Sequence, residues 1–413
     1  MAGAANKPPM LMVREALDFL LAAARPVPDM ETVPTLEANG RVLAQAQVSG
    51  MNVPSADNTQ MDGYAVRAED CASGAATLTV SQRIPAGHVG QPLLPGTAAR
   101  IFTGAMIPEG ADAVVMQEQC ELAGNVVTVN HAPKSGEWIR RAGEDITHGS
   151  VILAEGTRLR SPELGLAASV GLAQLPVRRR LRVAVFFTGD ELTMPGEPLA
   201  PGAIYNSNRF TLRALLQNLG CELTDFGIVP DSLDATRAVL RKAAAGNDLI
   251  ITSGGVSVGE EDHVKPAVEA EGKLTMWQIA MKPGKPLAFG EVLNENNAAF
   301  FMGLPGNPVS SFVTFLIFVR PFILKLQGVH DAAALAPKAY QLRADFDWPK
   351  ADRRNEFLRA RLNDQGGLEL FANQGSGVLT STVWADGLID NPPGQAIRRG
   401  DVVRFIPFSE VMP

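Results

Sequence analysis

Residues 181–330 alternate short apolar strands with amphipathic helices, and this alternation constrains the chain more than any other feature. Arg182 to Phe187 is a β-branched and aromatic run, and Leu249-Ile250-Ile251-Thr252 is a short apolar strand. Such strands suit a parallel sheet covered by helices on both faces. Between them, Ser207 or Asn208 caps a helix that stops at Gly220 and carries Leu212, Leu215, Leu216 and Leu219 on one face. A strand through Phe226-Gly227-Ile228-Val229 follows, and Ser232 starts a second helix ending near Gly246. The expected fold here is a doubly wound α/β sheet.

The flanking sequence has other textures. Residues 51–145 carry short strands between turn signals, among them Ala76-Thr77-Leu78-Thr79-Val80, Ala113-Val114-Val115-Met116 and Asn125-Val126-Val127-Thr128-Val129. Residues 1–50 and 146–180 read as helix plus connecting segment. Met10, Val13, Leu17, Leu20 and Leu21 form one apolar stripe there, and a helical pattern runs from Pro162 to Val170. After residue 331 β texture returns, with Asn391-Pro392-Pro393-Gly394 as one turn. Four domains are therefore expected: a helical and connecting one (1–50 with 146–180), an inserted β-rich one (51–145), an α/β substrate-binding one (181–330) and a small C-terminal β-barrel (331–413).

Composition narrows the function classes. With 46% apolar and 20% charged residues, the 413-residue chain is an ordinary globular one. Its net charge of −7 opposes any nucleic-acid-coating role, so an anionic ligand needs a local cluster of cations. Cys71, Cys120 and Cys221 are scattered without a C-x-x-C pair and read as free thiols of a reducing compartment. The longest apolar run, Phe312 to Leu326, is broken by Arg320 and Pro321 and falls short of a membrane span. The expectation is a cytoplasmic protein without a membrane partner. The five histidines lack zinc spacing.

The string S-G-G-x-S-x-G-x-x-D begins at Ser253, directly after an apolar strand and before a helix. Ser253, Gly254, Gly255, Ser257 and Gly259 can turn tightly and point successive N–H groups at a phosphate. Asp262 at its rim suits a magnesium ion bridging to that phosphate. Glu191 and Asp231 follow two other strands, so three carboxylates converge beyond the strand ends; for Asp231 an Asx turn is the plainer alternative. Lys282-Pro283-Gly284-Lys285-Pro286 sets two ammonium groups on a stiff turn suited to an oxyanion, unless it is a solvated surface turn. Pro305, Asn307, Pro308 and Ser310 form a turn feeding a helix N-terminus, a second anion site or simply a well-started helix. Asp62-Gly63 alone reads as a structural hairpin, as do Thr103-Gly104 and Gly143-Glu144-Asp145 as structural turns.

Seven ordered strings carry a resemblance over almost the whole chain: DNTQMDGYAV (57–66), TGAMIPEGADAVV (103–115), IRRAGEDI (139–146), TGDEL (188–192), SGGVSVGEEDH (253–263), MKPGKPLAFG (281–290) and LPGNPVS (304–310). Together they resemble the MoeA family of molybdopterin molybdenumtransferases, related to the E domain of gephyrin. The resemblance implies a four-domain homodimer that inserts molybdate into adenylylated molybdopterin with magnesium, releasing AMP. It implies that Glu191, Asp231 and Asp262 belong to the active cleft, and that Asp62, Thr103 and Asp145 face the cleft of the partner subunit. It matches Lys282, Lys285, Pro286, Ser310, Arg359 and Ser376 to a molybdate pocket; pairing of Arg359 with Glu356 on a strand face is the plain alternative.

The sequence departs from the family pattern at three places. Met106 stands where proline is usual, Gln278 where a basic residue is common, and Ser232 where a second aspartate is frequent. The implied partners are adenylylated molybdopterin, molybdate, an upstream adenylyltransferase and recipient molybdoenzymes. Two rival readings are a molybdopterin adenylyltransferase, which shares the glycine-rich string, and a gephyrin-like interaction scaffold. The extra domains and the Lys282/Lys285 turn oppose the first, and the intact carboxylate set opposes the second.

Overall fold

The structure, a computed structural model, describes residues 10–255, 263–294 and 298–412. Its centre is a sheet of β1 (Arg182–Thr188), β2 (Glu222–Val229), β3 (Leu249–Ser253), β4 (Gly272–Gln278), β5 (Pro286–Leu293) and β6 (Ala298–Leu304), in the order β2-β1-β3-β6-β5-β4. The first four are parallel, and β5 and β4 add an antiparallel edge. Period-two alternation divides the buried strands between two cores. Val183, Val185, Phe187 and Ile251 face a core with Leu212 and Leu216 of α1 (Ser207–Asn218). Ala184, Phe186 and Ile250 face another with Val239 and Leu240 of α2 (Leu233–Ala244) and Ala267 of α3 (Val264–Glu271). The sheet is thus covered on both faces, as its apolar strands require.

Local signals set most helix ends. Ser232 Oγ accepts from the Ala235 N–H at the start of α2, while Arg241 and Lys242 occupy its last turn. The cap of α1 lies one residue before the expected pair, because Asn206 Oδ1 accepts from the Arg209 N–H. The apolar run ahead is not broken as expected. α4 (Pro308–Thr314) passes through a π-helical stretch, Phe315–Val319, into α5 (Arg320–Leu326). Proline clashes with the carbonyl four residues back, here Ile317, and the wider π turn accommodates it without ending the helix. This helical stretch, Pro308–Leu326, is long and apolar enough for a bilayer, but 94% of its apolar window is buried inside the protein.

The chain before the insertion pairs with the chain after it. Met30–Pro34 runs antiparallel to Gln174–Arg178, and Gln47–Val48 pairs with Val151–Leu153. Helix Val13–Ala23 buries Ala16 and Leu20 in the α/β core rather than in that connecting region. Between them sits a six-stranded sheet ordered Ala113–Met116, Gly63–Val66, Thr97–Ile101, Ala76–Ile84, Val126–Val129, Cys120–Ala123. The last sheet centres on Asn355–Leu362 and Gly387–Asn391, and Met281–Lys282 joins it in parallel with Asn355–Glu356. A strand reached from the α/β unit thereby ties the C-terminal sheet to the rim of the α/β unit. The three cysteines are free, and burial pushes the Cys71 and Cys120 thiols up to about 11, so they stay protonated.

Candidate active site

The carboxyl ends of β1, β3 and β6 open into one cavity of about 760 Å³. Its floor is the turn after β3, where Ser253, Gly254 and Gly255 line the space. Gly254 has φ +98, and a Cβ there would lie 2.8 Å from the Thr188 carbonyl oxygen, so only glycine fits this approach. Asn208 locks the floor, donating through Nδ2 to Ser253 Oγ (2.8 Å) and to the Gly306 carbonyl (2.8 Å). Ser253 Oγ in turn donates to the Pro305 carbonyl (3.0 Å). Pro305, Asn307, Pro308 and Ser310 line the cavity above that turn, as their position ahead of a helix predicts.

Carboxylates and cations both reach the space. Glu191 and Asp231 line it from the segments after β1 and β2. Ser257, Gly259 and Asp262 lie outside the described residues. Among the described residues no group of three or more His, Cys, Asp or Glu side chains is placed to hold a metal. Two hard-oxygen carboxylates facing one cavity nevertheless fit magnesium, which commonly takes one or two carboxylates and completes its shell with phosphate oxygens and water.

Lys282, Lys285 and Pro286 line the cavity, but the two lysines differ. Lys282 Nζ donates to Glu356 Oε1 (3.1 Å), lies 3.7 Å from Asp352 Oδ2 and sits 6.0 Å from the Trp348 ring centroid. Glu356 is itself buried and accepts at Oε2 from Trp348 Nε1 (2.8 Å). Among the described residues Lys285 has no carboxylate within ion-pair distance, whereas Lys282 has two. Arg354, which the sequence reading missed, also lines the cavity. Asp352 clamps its Nε (3.0 Å) and Nη2 (2.8 Å), and these bonds hold the Asp352 carboxyl well below the usual range.

Arg359 departs from both sequence readings. It is fully buried, does not line the cavity and does not pair with Glu356. Its guanidinium donates to Ser381 Oγ (3.1 Å) and to the carbonyls of Phe357 (3.2 Å) and Gly375 (3.1 Å). Burial lowers its pKa to about 10, which still leaves it charged at neutral pH. The strand Asn355–Leu362 is buried over five consecutive residues, so alternation does not turn Arg359 outward. What it supports is the Gln374–Ser376 turn, and Gln374, Gly375 and Ser376 do line the cavity. Gln374 closes this support by accepting from the Arg359 N–H (2.9 Å).

The remaining predicted residues lie elsewhere. Asp62 Oδ1 accepts from both the N–H (2.8 Å) and the hydroxyl (2.7 Å) of Thr103. The backbone bond, then the side-chain one, lowers the Asp62 pKa. Asp145 is exposed on a neighbouring loop tied back through Ile139–Arg140 pairing with Asn58–Thr59. None of the three lines the cavity of its own chain. Asp62-Gly63 is not a hairpin. Gly63 opens a central strand where a Cβ would meet the Val115 carbonyl at 1.9 Å, so the glycine serves close strand approach.

Comparison with known proteins gives concordant matches. Residues 11–171 match the MoeA N-terminal region (domain I and II), 184–325 a probable molybdopterin binding domain, and 341–408 the MoeA C-terminal region (domain IV). A molybdopterin molybdenumtransferase of Haemophilus influenzae is 42% identical over 384 residues, covering 91% of this chain and 93% of the relative. One from a Nostoc species is 39% identical over 89% and 86%. The crystal structure of a molybdopterin biosynthesis moeA protein from Pyrococcus horikoshii superposes with a TM-score of 0.83 at 30% identity, covering 97% of this chain and all of that one.

Proposed function

This chain belongs to the MoeA family of molybdopterin molybdenumtransferases, and from that premise we propose that it inserts molybdenum from molybdate into adenylylated molybdopterin, releasing AMP. One observation carries the reading. A single cavity at the carboxyl ends of the parallel strands joins two carboxylates, a glycine turn and the ammonium group of Lys285. Ligands of open α/β sheets bind at this edge.

The chemistry must bring an oxyanion to a substrate that is already anionic. The Gly254 N–H donates to the Leu304 carbonyl (3.1 Å) and the Val309 N–H to the Ser376 carbonyl (3.0 Å), so the Gly255 and Ser310 N–H groups are the ones offered to the phosphoanhydride. Lys285, with Ser310 and Ser376, offers donors to molybdate, and Arg359 acts as a positioning residue beneath Ser376. Glu191, Asp231 and, in the sequence, Asp262 would hold magnesium, which when bound offsets phosphate charge and eases departure of AMP. No side chain needs to act as a nucleophile, because the dithiolene itself captures molybdenum.

Asp62, Thr103 and Asp145 complete the site from a partner subunit in this reading, so the working form is a homodimer. That none of the three lines the cavity of its own chain supports that division. The four domains are taken as 1–50 with 146–180, 51–145, 181–330 and 331–413, acting in the cytoplasm between an upstream adenylyltransferase and recipient molybdoenzymes. The test is AMP release from adenylylated molybdopterin: it should require both molybdate and magnesium. Consumption of ATP with unmodified molybdopterin would instead make the protein an adenylyltransferase.

A further inference from the structure

The motif Thr188-Gly189-Asp190-Glu191-Leu192 has been read only for its glutamate, yet its first residue is the more unusual one. Thr188 ends β1, is 4% exposed and lines the cavity. Its Oγ1 is buried without a hydrogen-bond partner. A hydroxyl in that state costs stability, because it has given up water and gained nothing in return. Buried polar atoms of this kind are the exception in folded proteins and call for an explanation.

The surroundings supply one. Thr188 adjoins the phosphate-type turn: its carbonyl oxygen is 2.8 Å and its Oγ1 3.8 Å from where a Cβ of Gly254 would sit. The same wall carries a second unpartnered donor. Asn206, 2% exposed, caps α1 with Oδ1 while its Nδ2 has no partner. Asn206 is fixed there by backbone pairing, since Leu192–Thr193 runs parallel to Ile204–Tyr205 and the Asn206 N–H donates to the Thr193 carbonyl (2.9 Å). This wall also bears Glu191, beside which a lysine or arginine would form an ion pair and lose its attraction for substrate. A neutral donor keeps its hydrogen for a ligand.

We propose that the Thr188 hydroxyl is a substrate-binding group, donating to a phosphate oxygen seated on the Ser253-Gly254-Gly255 turn. The assignment deepens the reading of the cavity as a phosphoanhydride site and rests on it. It explains why an unsatisfied hydroxyl persists beside glycines whose backbone approaches the same space.

Inorganic pyrophosphate, with and without magnesium, is the probe, measured by calorimetry on the full chain. Thr188→Val keeps the branched shape and removes the hydroxyl. It should weaken pyrophosphate binding about three- to tenfold, the range of one lost neutral hydrogen bond. It should also leave the ligand-free unfolding temperature unchanged or higher, an outcome that a structural hydroxyl would reverse. Thr188→Ser, which restores the donor, should bind within about twofold of the natural chain. Unchanged binding by Thr188→Val, or a lowered unfolding temperature, overturns the proposal while leaving the phosphate site standing. Absence of pyrophosphate binding by the natural chain overturns the phosphate reading and this assignment with it.

Discussion

Two acidic neighbourhoods in this chain are built in opposite ways. In the inserted sheet, Asp62 is half-buried and already satisfied by both donors of Thr103. In the α/β unit, Glu191 and Asp231 line an open cavity of about 760 Å³ that is also lined by Lys282 and Lys285. The first is a finished local motif presented outward. The second gathers carboxylates and lysines of opposite charge around one space. A carboxylate fixed by its own chain on an open face acts only when something is brought to it, which is why the inserted sheet and the cavity read as halves of a two-chain site.

The largest separation between the halves is expected at the metal side. Asp231→Asn should reduce magnesium-dependent AMP release by at least about a hundredfold, with an unchanged unfolding temperature. Wild-type turnover would remove Asp231 from the metal site. Next comes the buried support. Arg359→Ala should cost about 3 kcal/mol or more in denaturant unfolding, since it opens a cavity and strands the acceptors on Phe357 and Gly375. A loss under 1 kcal/mol, within the range of a surface change, would mean that the guanidinium carries little of that support.

A smaller effect distinguishes the two lysines. Lys285→Ala should raise the molybdate concentration for half-maximal turnover about tenfold, and Lys282→Ala less, because Glu356 and Asp352 already engage Lys282. The reverse order would show that Lys282 exchanges its carboxylates for the substrate. The smallest effect belongs to the outward motif. Thr103→Ala should move the Asp62 titration, followed by NMR, upward toward the ordinary carboxylate range. A depressed pKa stabilises the fold above the unfolded-state value and the gain is lost as pH falls through the folded value. Natural and variant chains should therefore converge in acid, and an unmoved Asp62 midpoint would discount the Thr103 hydroxyl bond, the backbone N–H bond being kept in the variant.

Legibility followed the range of the interactions. The parallel strands, the Ser232 cap and the glycine turn are set by neighbours in sequence and could be read directly. Asn208 could not, because its partners Ser253 and Gly306 lie 45 and 98 residues away in the chain. Arg354 and Gln374 owe their place at the cavity to Asp352 and to a buried arginine on the C-terminal sheet. The resemblance matched Arg359 to an anion pocket, while burial of consecutive strand residues puts its side chain beneath the Gln374–Ser376 turn rather than on the cavity surface. Pro321 misled in the other direction, since a π turn absorbed the break it signals. At Gly63 the deciding neighbour is the Val115 carbonyl, which no local pattern reveals.

Complementation tests the two-chain site most directly. Asp62→Asn chains and Asp231→Asn chains, each deficient alone, are mixed, and subunit exchange is verified by native mass. Random exchange in a symmetric dimer leaves one cleft intact in each mixed dimer, so AMP release should recover to about a quarter of the natural level. Verified exchange with no recovery would contradict the account, returning Asp62 to its own chain's site or removing it from the reaction.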